Sequence, residues 1–197
     1  MSPRSQSETH IAVHAAKEVF WRRGYEDASI EEVVQATGFN RYALYTAFGG
    51  KREIFLAALD AYYQERRSIF LTNLDDPETA PLDAIRRVFE FAITEMAERG
   101  TGCLMCNVAT GAGPLDPLVA ERIETYLEEI RCAYIDALER AQSRNELNPV
   151  MSIEAGAALL ITLMLGLGVH AKRGASATAM LGVFDSTLTL MASPRVQ

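Results

Sequence analysis

The stretch TGFNRYALYTAFGGKREIF, Thr37 to Phe55, decides how this chain folds. It opens on a Thr-Gly turn, carries two tyrosines three residues apart, and ends in a Gly-Gly pair and a lysine. Asn40 is a good helix cap, and Leu44 and Phe48, four residues apart, share the inward face of the short helix it starts. Gly49-Gly50 ends that helix, and a longer one begins near Lys51. Just upstream, Ser29 with Glu32 three residues later is a capping box. Ile30, Val33 and Val34 give the helix it opens a buried face, and Gly38 stops it. Two short helices joined by the tight turn Thr37-Gly38-Phe39-Asn40 make a helix-turn-helix, the second member of which can lie in a DNA major groove.

With Phe39, Leu44 and Phe48 assigned to the core, Arg41, Tyr42, Tyr45 and Thr46 face outward beside the cap Asn40. Arg41 suits guanine or a phosphate, and tyrosine hydroxyls commonly go to phosphate oxygens. Tyr45 is read as a surface contact because its neighbour Leu44 already faces inward. Lys51, at the start of the next helix, adds its charge to backbone N–H groups that favour an anion, and Ser29 holds an equivalent place.

The longer segment ASIEEVVQATGFNRYALYTAFGGKREIF, Ala28 to Phe55, closely resembles the DNA-binding domain of TetR/AcrR-type regulators. Gly38, Leu44, Tyr45, Phe48 and Lys51 stand at that family's most characteristic positions. Upstream, AAKEVFWRRGY resembles the family's first helix. The resemblance covers the first quarter of the chain. It implies an all-α fold of about nine helices: a three-helix DNA-binding domain over residues 1–52, then a ligand-binding and dimerisation domain over 53–197. It also implies a ligand-responsive, cytoplasmic transcriptional regulator, a homodimeric repressor released from a palindromic operator on double-stranded DNA by a small-molecule inducer. Repressor rather than activator is the family's habit and not a reading of residues. There are departures. Ala47 stands where a histidine is common, Gly50 replaces a common serine cap, and Tyr42 takes a position often held by a small residue, which lets it reach DNA itself.

Composition sets bounds on this reading. The 197 residues are 49% hydrophobic and 23% charged, with a formal net charge of -7, an ordinary globular balance. Acidity is a poor omen for nucleic-acid binding, but it is unevenly spread. Residues 1–55 hold seven basic and seven acidic side chains, and the excess lies beyond them. The first residues, MSPRSQSETH, hold no apolar run of signal-peptide type. The longest apolar run, AGAALLITLMLGLGV from Ala155 to Val169, is shorter than the roughly 20 residues a membrane span needs. It reads as a buried helix, and no membrane partner is expected.

In the first helix Ile11, Ala15, Ala16, Val19 and Phe20 form an apolar stripe. Beyond Lys51, stops at Asp75-Asp76-Pro77, Gly100 to Gly102, Gly111 to Pro114, Asn148-Pro149 and Gly174 delimit further helices, the seventh starting near Leu115. The eighth is apolar nearly all round, so part of it is expected against a partner chain. The candidate dimer face is Leu159, Leu163 and Gly166 with Val183, Phe184 and Leu188 of the ninth, Gly156, Gly166 and Gly168 allowing close approach. The alternative is that both helices fill their own subunit's core.

An inducer pocket at the centre of the second domain, also implied by the resemblance, has as candidates Phe89, Ile93, Met96, Met105 and Asn107, then Tyr126, Tyr134 and Met164, though most such side chains are simply core. Cys103 and Cys106 form C-x-x-C at a helix N-terminus, where a thiol can become reactive. Either of them is a candidate redox or electrophile sensor lining that site. The plainer reading, two buried small residues, is preferred. Three cysteines argue against a disulfide framework. No metal or other cofactor is expected: the C-x-x-C lacks a second pair, and His10 and His14 lack a third ligand. No nucleophile and base stand at catalytic spacing, so an enzyme is not expected. A helical interaction protein that keeps the helix-turn-helix as a packing unit remains the non-DNA alternative.

Overall fold

The computed structural model describes residues 6–111 and 116–193. Among these are nine helices: α1 (Gln6–Arg23), α2 (Ile30–Thr37), α3 (Arg41–Phe48), α4 (Lys51–Leu74), α5 (Pro81–Arg99), α6 (Leu104–Ala109), α7 (Pro117–Ser143), α8 (Ile153–Lys172) and α9 (Ala177–Met191). An isolated bridge joins Leu147 to Ala192. The expected helix start at Leu115 lies outside the described residues.

Local chemistry explains the boundaries. Ser29, Asn40, Asp116, Ser152 and Ser176 each cap the helix that follows with a side-chain oxygen, each cap contributing roughly 1 kcal/mol. The Ser29–Glu32 box is complete in both directions. Pro81 and Pro117 open α5 and α7, where a missing N–H is harmless. Gly38 ends α2 in the left-handed conformation at φ 69°.

α1, α2 and α3 pack around Val33, Leu44 and Phe20, all fully buried, with Phe20 meeting Phe55 edge-on at 5.0 Å. α4 runs through the expected domain boundary at residue 52 without a break. Its start packs with the first three helices through Phe55, and Tyr62 lies where that packing continues into the later helices, in one hydrophobic core. Of the stripe expected on α1, Ala16, Val19 and Phe20 are buried and Ala15 is half-buried, but Ile11 is 63% exposed, and Ala12 and Lys17 join the inward face. The Lys17 ammonium is tolerated there because Glu65 of α4 receives it with both carboxylate oxygens, at 2.8 and 2.6 Å.

Farther along that core Phe89 of α5 is stacked on Phe184 of α9 at 4.3 Å and lies 6.2 Å from Tyr134 of α7. Burying each such ring contributes about 1.5–3 kcal/mol. This corrects two expectations for the dimer face: Phe184 and Leu188 are buried within their own subunit. Gly156 and Gly168 are also turned inward. A Cβ on Gly156 would lie 3.0 Å from Leu138, and one on Gly168 3.6 Å from the Cys103 backbone. Gly166 faces open space.

α8 is longer than its apolar run suggested. At 20 residues it is, by length and composition alone, long enough to cross a membrane, yet little of it is covered in this chain. Leu159 is 40% and Val169 45% exposed, and Val183 of α9 is 53% exposed. An apolar helix left this bare needs another surface against it.

Candidate functional site

Two sites stand at opposite ends of α4. The first is the outward face of α3. Asn40, Arg41, Tyr42, Tyr45 and Thr46 are all exposed, Tyr42 by 72% and Tyr45 by 43%. They are presented by a helix whose other face is anchored by buried Leu44 and by Phe48 tilted against Phe39. Asn40 spends its Oδ1 on the Ala43 N–H at 2.8 Å, which leaves its amide group to donate elsewhere. Thr46 donates to the Tyr42 carbonyl within the helix. Arg41 donates to Glu31 at 3.0 Å, and both side chains are more than 60% exposed. Such a pair contributes about 0–1 kcal/mol. A bidentate guanine contact is worth roughly 1–3 kcal/mol, so Arg41 is free to exchange one for the other.

Lys51 is less free than the sequence suggested. Its ammonium lies over the Tyr25 ring, 4.6 Å from the centroid, and donates to the Glu26 carbonyl at 3.4 Å. It is held at the junction of α1, α2 and α4 with its charge still at the surface. Ser29 is exposed, and its hydroxyl oxygen is used in the capping box. The Ser29 backbone N–H, bound to the Glu32 carboxylate, holds that carboxyl below its usual range.

The second site is a cavity of about 60 Å³ between α1, α4, α5, α7 and α8. Met96, Cys103, Tyr126 and Met164 line it, as expected of them. The remaining expected residues lie elsewhere. Phe89 and Tyr134 belong to the α5–α7–α9 stack. Ile93 and Met105 are buried in the core away from the cavity wall. Asn107 donates to the Thr101 carbonyl at 2.6 Å and so shapes the loop before α6. Cys106 directs its thiol to the Leu165 carbonyl of α8 at 3.5 Å. Burial, followed by the neighbouring Cys103, pushes the Cys106 thiol up to about 11.

The sequence missed the cavity's most distinctive walls: Trp21, Tyr62, Arg66, Phe91 and Glu95. Trp21 comes from α1, the first helix of the DNA-binding unit. Its indole N–H donates to the Gly102 carbonyl at 2.8 Å, buried. Its ring meets Tyr62 edge-on at 5.1 Å. Gly102 itself has no room for a side chain. Its φ is +67°, and a Cβ there would lie 2.5 Å from the Gly168 carbonyl oxygen. The segment leading into α6 is thus clamped between α8 and the α1 indole. Tyr62 donates its hydroxyl to the Cys103 sulfur at 3.2 Å. Burial drives the Tyr62 and Tyr126 phenols well above their usual range, so both remain protonated donors.

An ion-pair chain runs outward from this cavity. Arg66 grips Glu95 with both terminal nitrogens, and burial works against its charge while its neighbours, Glu95 first among them, keep it protonated. Glu95 also meets Arg99 at 3.3 Å, and Arg99 reaches Glu18 of α1 at 2.9 Å. Glu18 lies 3.9 Å from Lys17, which returns to α4 through Glu65. The cavity and the DNA-binding unit are therefore joined by direct polar contacts. A sequence signal existed: Trp21 is the chain's one tryptophan, and it stands within the family-like first helix.

Comparisons with known proteins agree with this architecture. Residues 12–58 match the model for bacterial regulatory proteins of the tetR family. Residues 81–184 match the tetracyclin repressor-like C-terminal domain. The chain is 30% identical over 150 residues to the uncharacterized HTH-type transcriptional regulator YezE of Bacillus subtilis (strain 168), covering 75% of this chain and 77% of that protein. It is 26% identical over 181 residues to the HTH-type transcriptional repressor ComR of Escherichia coli (strain K12), covering 91% and 86%. In fold it is similar to a cysteine-substituted form of the regulator CifR in complex with 26-base-pair operator DNA, with TM-score 0.83, 24% identity, and coverage of 97% and 100%. The two matched segments take in the helix-turn-helix at one end of α4 and the helices around the cavity at the other: the chain belongs to the tetR family of bacterial regulatory proteins and is a DNA-binding transcriptional regulator.

Proposed function

We propose that this chain is a cytoplasmic homodimeric repressor, released from a palindromic operator when a small molecule occupies the cavity lined by Trp21, Tyr62 and Tyr126. The observation that carries this reading is the α3 face. A helix eight residues long offers Arg41, Tyr42, Tyr45 and Thr46 outward from a tightly capped helix-turn-helix. Residues 1–52 form the DNA-binding domain and 53–197 the effector-binding and dimerisation domain, with α4 shared between them. The bare apolar face of α8 and α9, with Leu159, Leu163, Gly166 and Val183, packs on its copy in a second subunit. A two-fold pair presents two α3 helices to successive major grooves. Ligand acts only through its different affinity for the two dimer states, and the Trp21–Gly102 contact connects the cavity to α1. Selection from random DNA tests the reading. Recovery of a palindrome, with loss of binding in Arg41→Ala/Tyr45→Ala, is the expected result; no enrichment at low salt contradicts it.

A second reading has its own observation in support. Of the two C-x-x-C thiols, Cys103 lines the cavity and Cys106 does not. If the regulator senses electrophiles, Cys103 is the reacting group. Operator release by N-ethylmaleimide is then lost in Cys103→Ser and kept in Cys106→Ser. Equal release from both variants excludes it.

A further inference from the structure

The cavity's polar groups indicate which kind of molecule it accepts. We infer that the effector is a small oxyanion, a carboxylate on a short apolar or planar body, received by the Arg66 side chain; this rests on the reading of the cavity as the effector site.

Three observations lead there. First, the volume of about 60 Å³ is room for roughly four to six waters, so the occupant is small. Second, the free hydrogen-bonding capacity is on the donor side. Arg66 lines the cavity, and its Nε–H is buried with no hydrogen-bond partner. The Tyr62 hydroxyl is spent on the Cys103 sulfur, and burial keeps the Tyr62 and Tyr126 phenols protonated, so neither brings a negative charge to the cavity. The carboxylate that lines the cavity, Glu95, is already committed: one oxygen to Arg66 alone, the other to Arg66 at 2.8 Å and Arg99 at 3.3 Å. An acceptor on the ligand can satisfy this unused charged donor once the Arg66 side chain turns toward the cavity, whereas a ligand that brings donors finds both carboxylate oxygens already paired. Third, the aromatic walls already hold a cation. The Arg66 guanidinium lies 5.5 Å from the Trp21 ring centroid and 5.0 Å from that of Tyr62. These rings would otherwise suit a ligand ammonium, and with Arg66 on them such a ligand meets a like charge.

The same placement gives the ligand leverage. Drawing Arg66 toward a second carboxylate loosens its hold on Glu95, and Glu95 is tied through Arg99 to Glu18 of α1.

Trp21 is the only tryptophan in the chain and lines the cavity, so its emission reports occupancy. The full-length protein is titrated with butanoate and benzoate, and in parallel with butylamine and benzylamine. Either carboxylate is expected to shift Trp21 emission saturably while its matched amine does not. In Arg66→Gln/Glu95→Gln, which removes the pair without stranding either charge, carboxylate affinity should fall by about tenfold or more. Arg66→Lys keeps the charge, loses the Nε–H, and should fall similarly. Melting temperature and dimer content of both variants provide the folding control. Amines that bind as well as carboxylates, no response to either carboxylate, or unchanged affinity in a folded double variant would overturn the inference. Operator affinity is measured alongside. Carboxylate binding that leaves it unchanged overturns the effector reading and leaves the ligand class standing. Operator release only by uncharged or cationic compounds, undiminished in the double variant, does the reverse.

Discussion

Arg41–Glu31 and Arg66–Glu95 are the same chemistry in two settings. The first joins two exposed side chains on adjacent short helices, 63% and 69% accessible. The second joins α4 to α5 with side chains only 15% and 21% accessible. Water already solvates the first pair, so breaking it costs little and its arginine can turn to another partner. The second pair is largely shielded from water, so removing one partner leaves the other poorly solvated. A surface open to an interchangeable partner keeps its ions wet, whereas a junction between two long helices holds them shielded and paired.

The largest expected effect breaks the shielded pair. Glu95→Ala leaves the half-buried Arg66 without its carboxylate, and should lower stability by about 3 kcal/mol, the low end for a buried pair, in chemical denaturation. A loss below about 1 kcal/mol would place both pairs in the same class. Gly102→Ala comes next. It forces a left-handed L-residue and drives a Cβ against the Gly168 carbonyl. Overpacking of this kind costs roughly 1–3 kcal/mol, and the backbone adds about 1–2. A wild-type melting temperature would show that the α6 segment is not clamped. Trp21→Phe keeps the ring and removes the donor, stranding the buried Gly102 carbonyl at a cost of about 1–3 kcal/mol. It should also weaken the link between effector and operator binding, read as a smaller change in operator affinity at saturating effector.

The smallest effects sharpen the exposed side. Glu31→Ala should change stability by less than about 1 kcal/mol, and operator affinity should rise because Arg41 no longer leaves a partner. Asp116 gives a pH signature. It caps α7 and accepts Arg52 at 2.7 and 2.9 Å. The Arg52 hydrogen bonds, ahead of the cap N–H groups, hold its carboxyl below the ordinary 3.8. A depressed carboxylate contributes stability that is complete above 3.8 and is lost as pH falls through the lower folded value. Asp116→Asn should lower stability at neutral pH, where the carboxylate contributes fully, and flatten the profile in that acidic window.

The exposed region was the legible one. The box Ser29–Glu32, the cap Asn40 and the stops Gly38 and Gly49 act over three or four residues, so spacing alone locates α2 and α3. Tyr45 could be assigned outward because Leu44 beside it is inward. The cavity was not legible in that way. It is assembled from five helices, and its decisive members are a tryptophan from the first domain and a charged pair that composition would assign to solvent. On α1 the stripe through Ala16, Val19 and Phe20 was legible, while the exposure of Ile11 and the burial of Lys17 were not, because Glu65, far away in sequence, is what receives that lysine. The bare face of α8 was anticipated from its apolar composition, but Phe184 and Leu188 were drawn inward by Phe89 and its neighbours, which no local pattern encodes.

The wet arginine and its neighbours on α3 and α4 are expected to grip DNA by charge. The direct measurement is the salt dependence of binding to an operator recovered by selection, for wild type, Arg41→Ala and Lys51→Ala. Each lysine or arginine that neutralises a phosphate contributes about 0.9 to the slope of log affinity against log salt. Each variant should therefore lose about that much per subunit, with denaturation unchanged. Slopes equal to wild type in both variants would contradict the account.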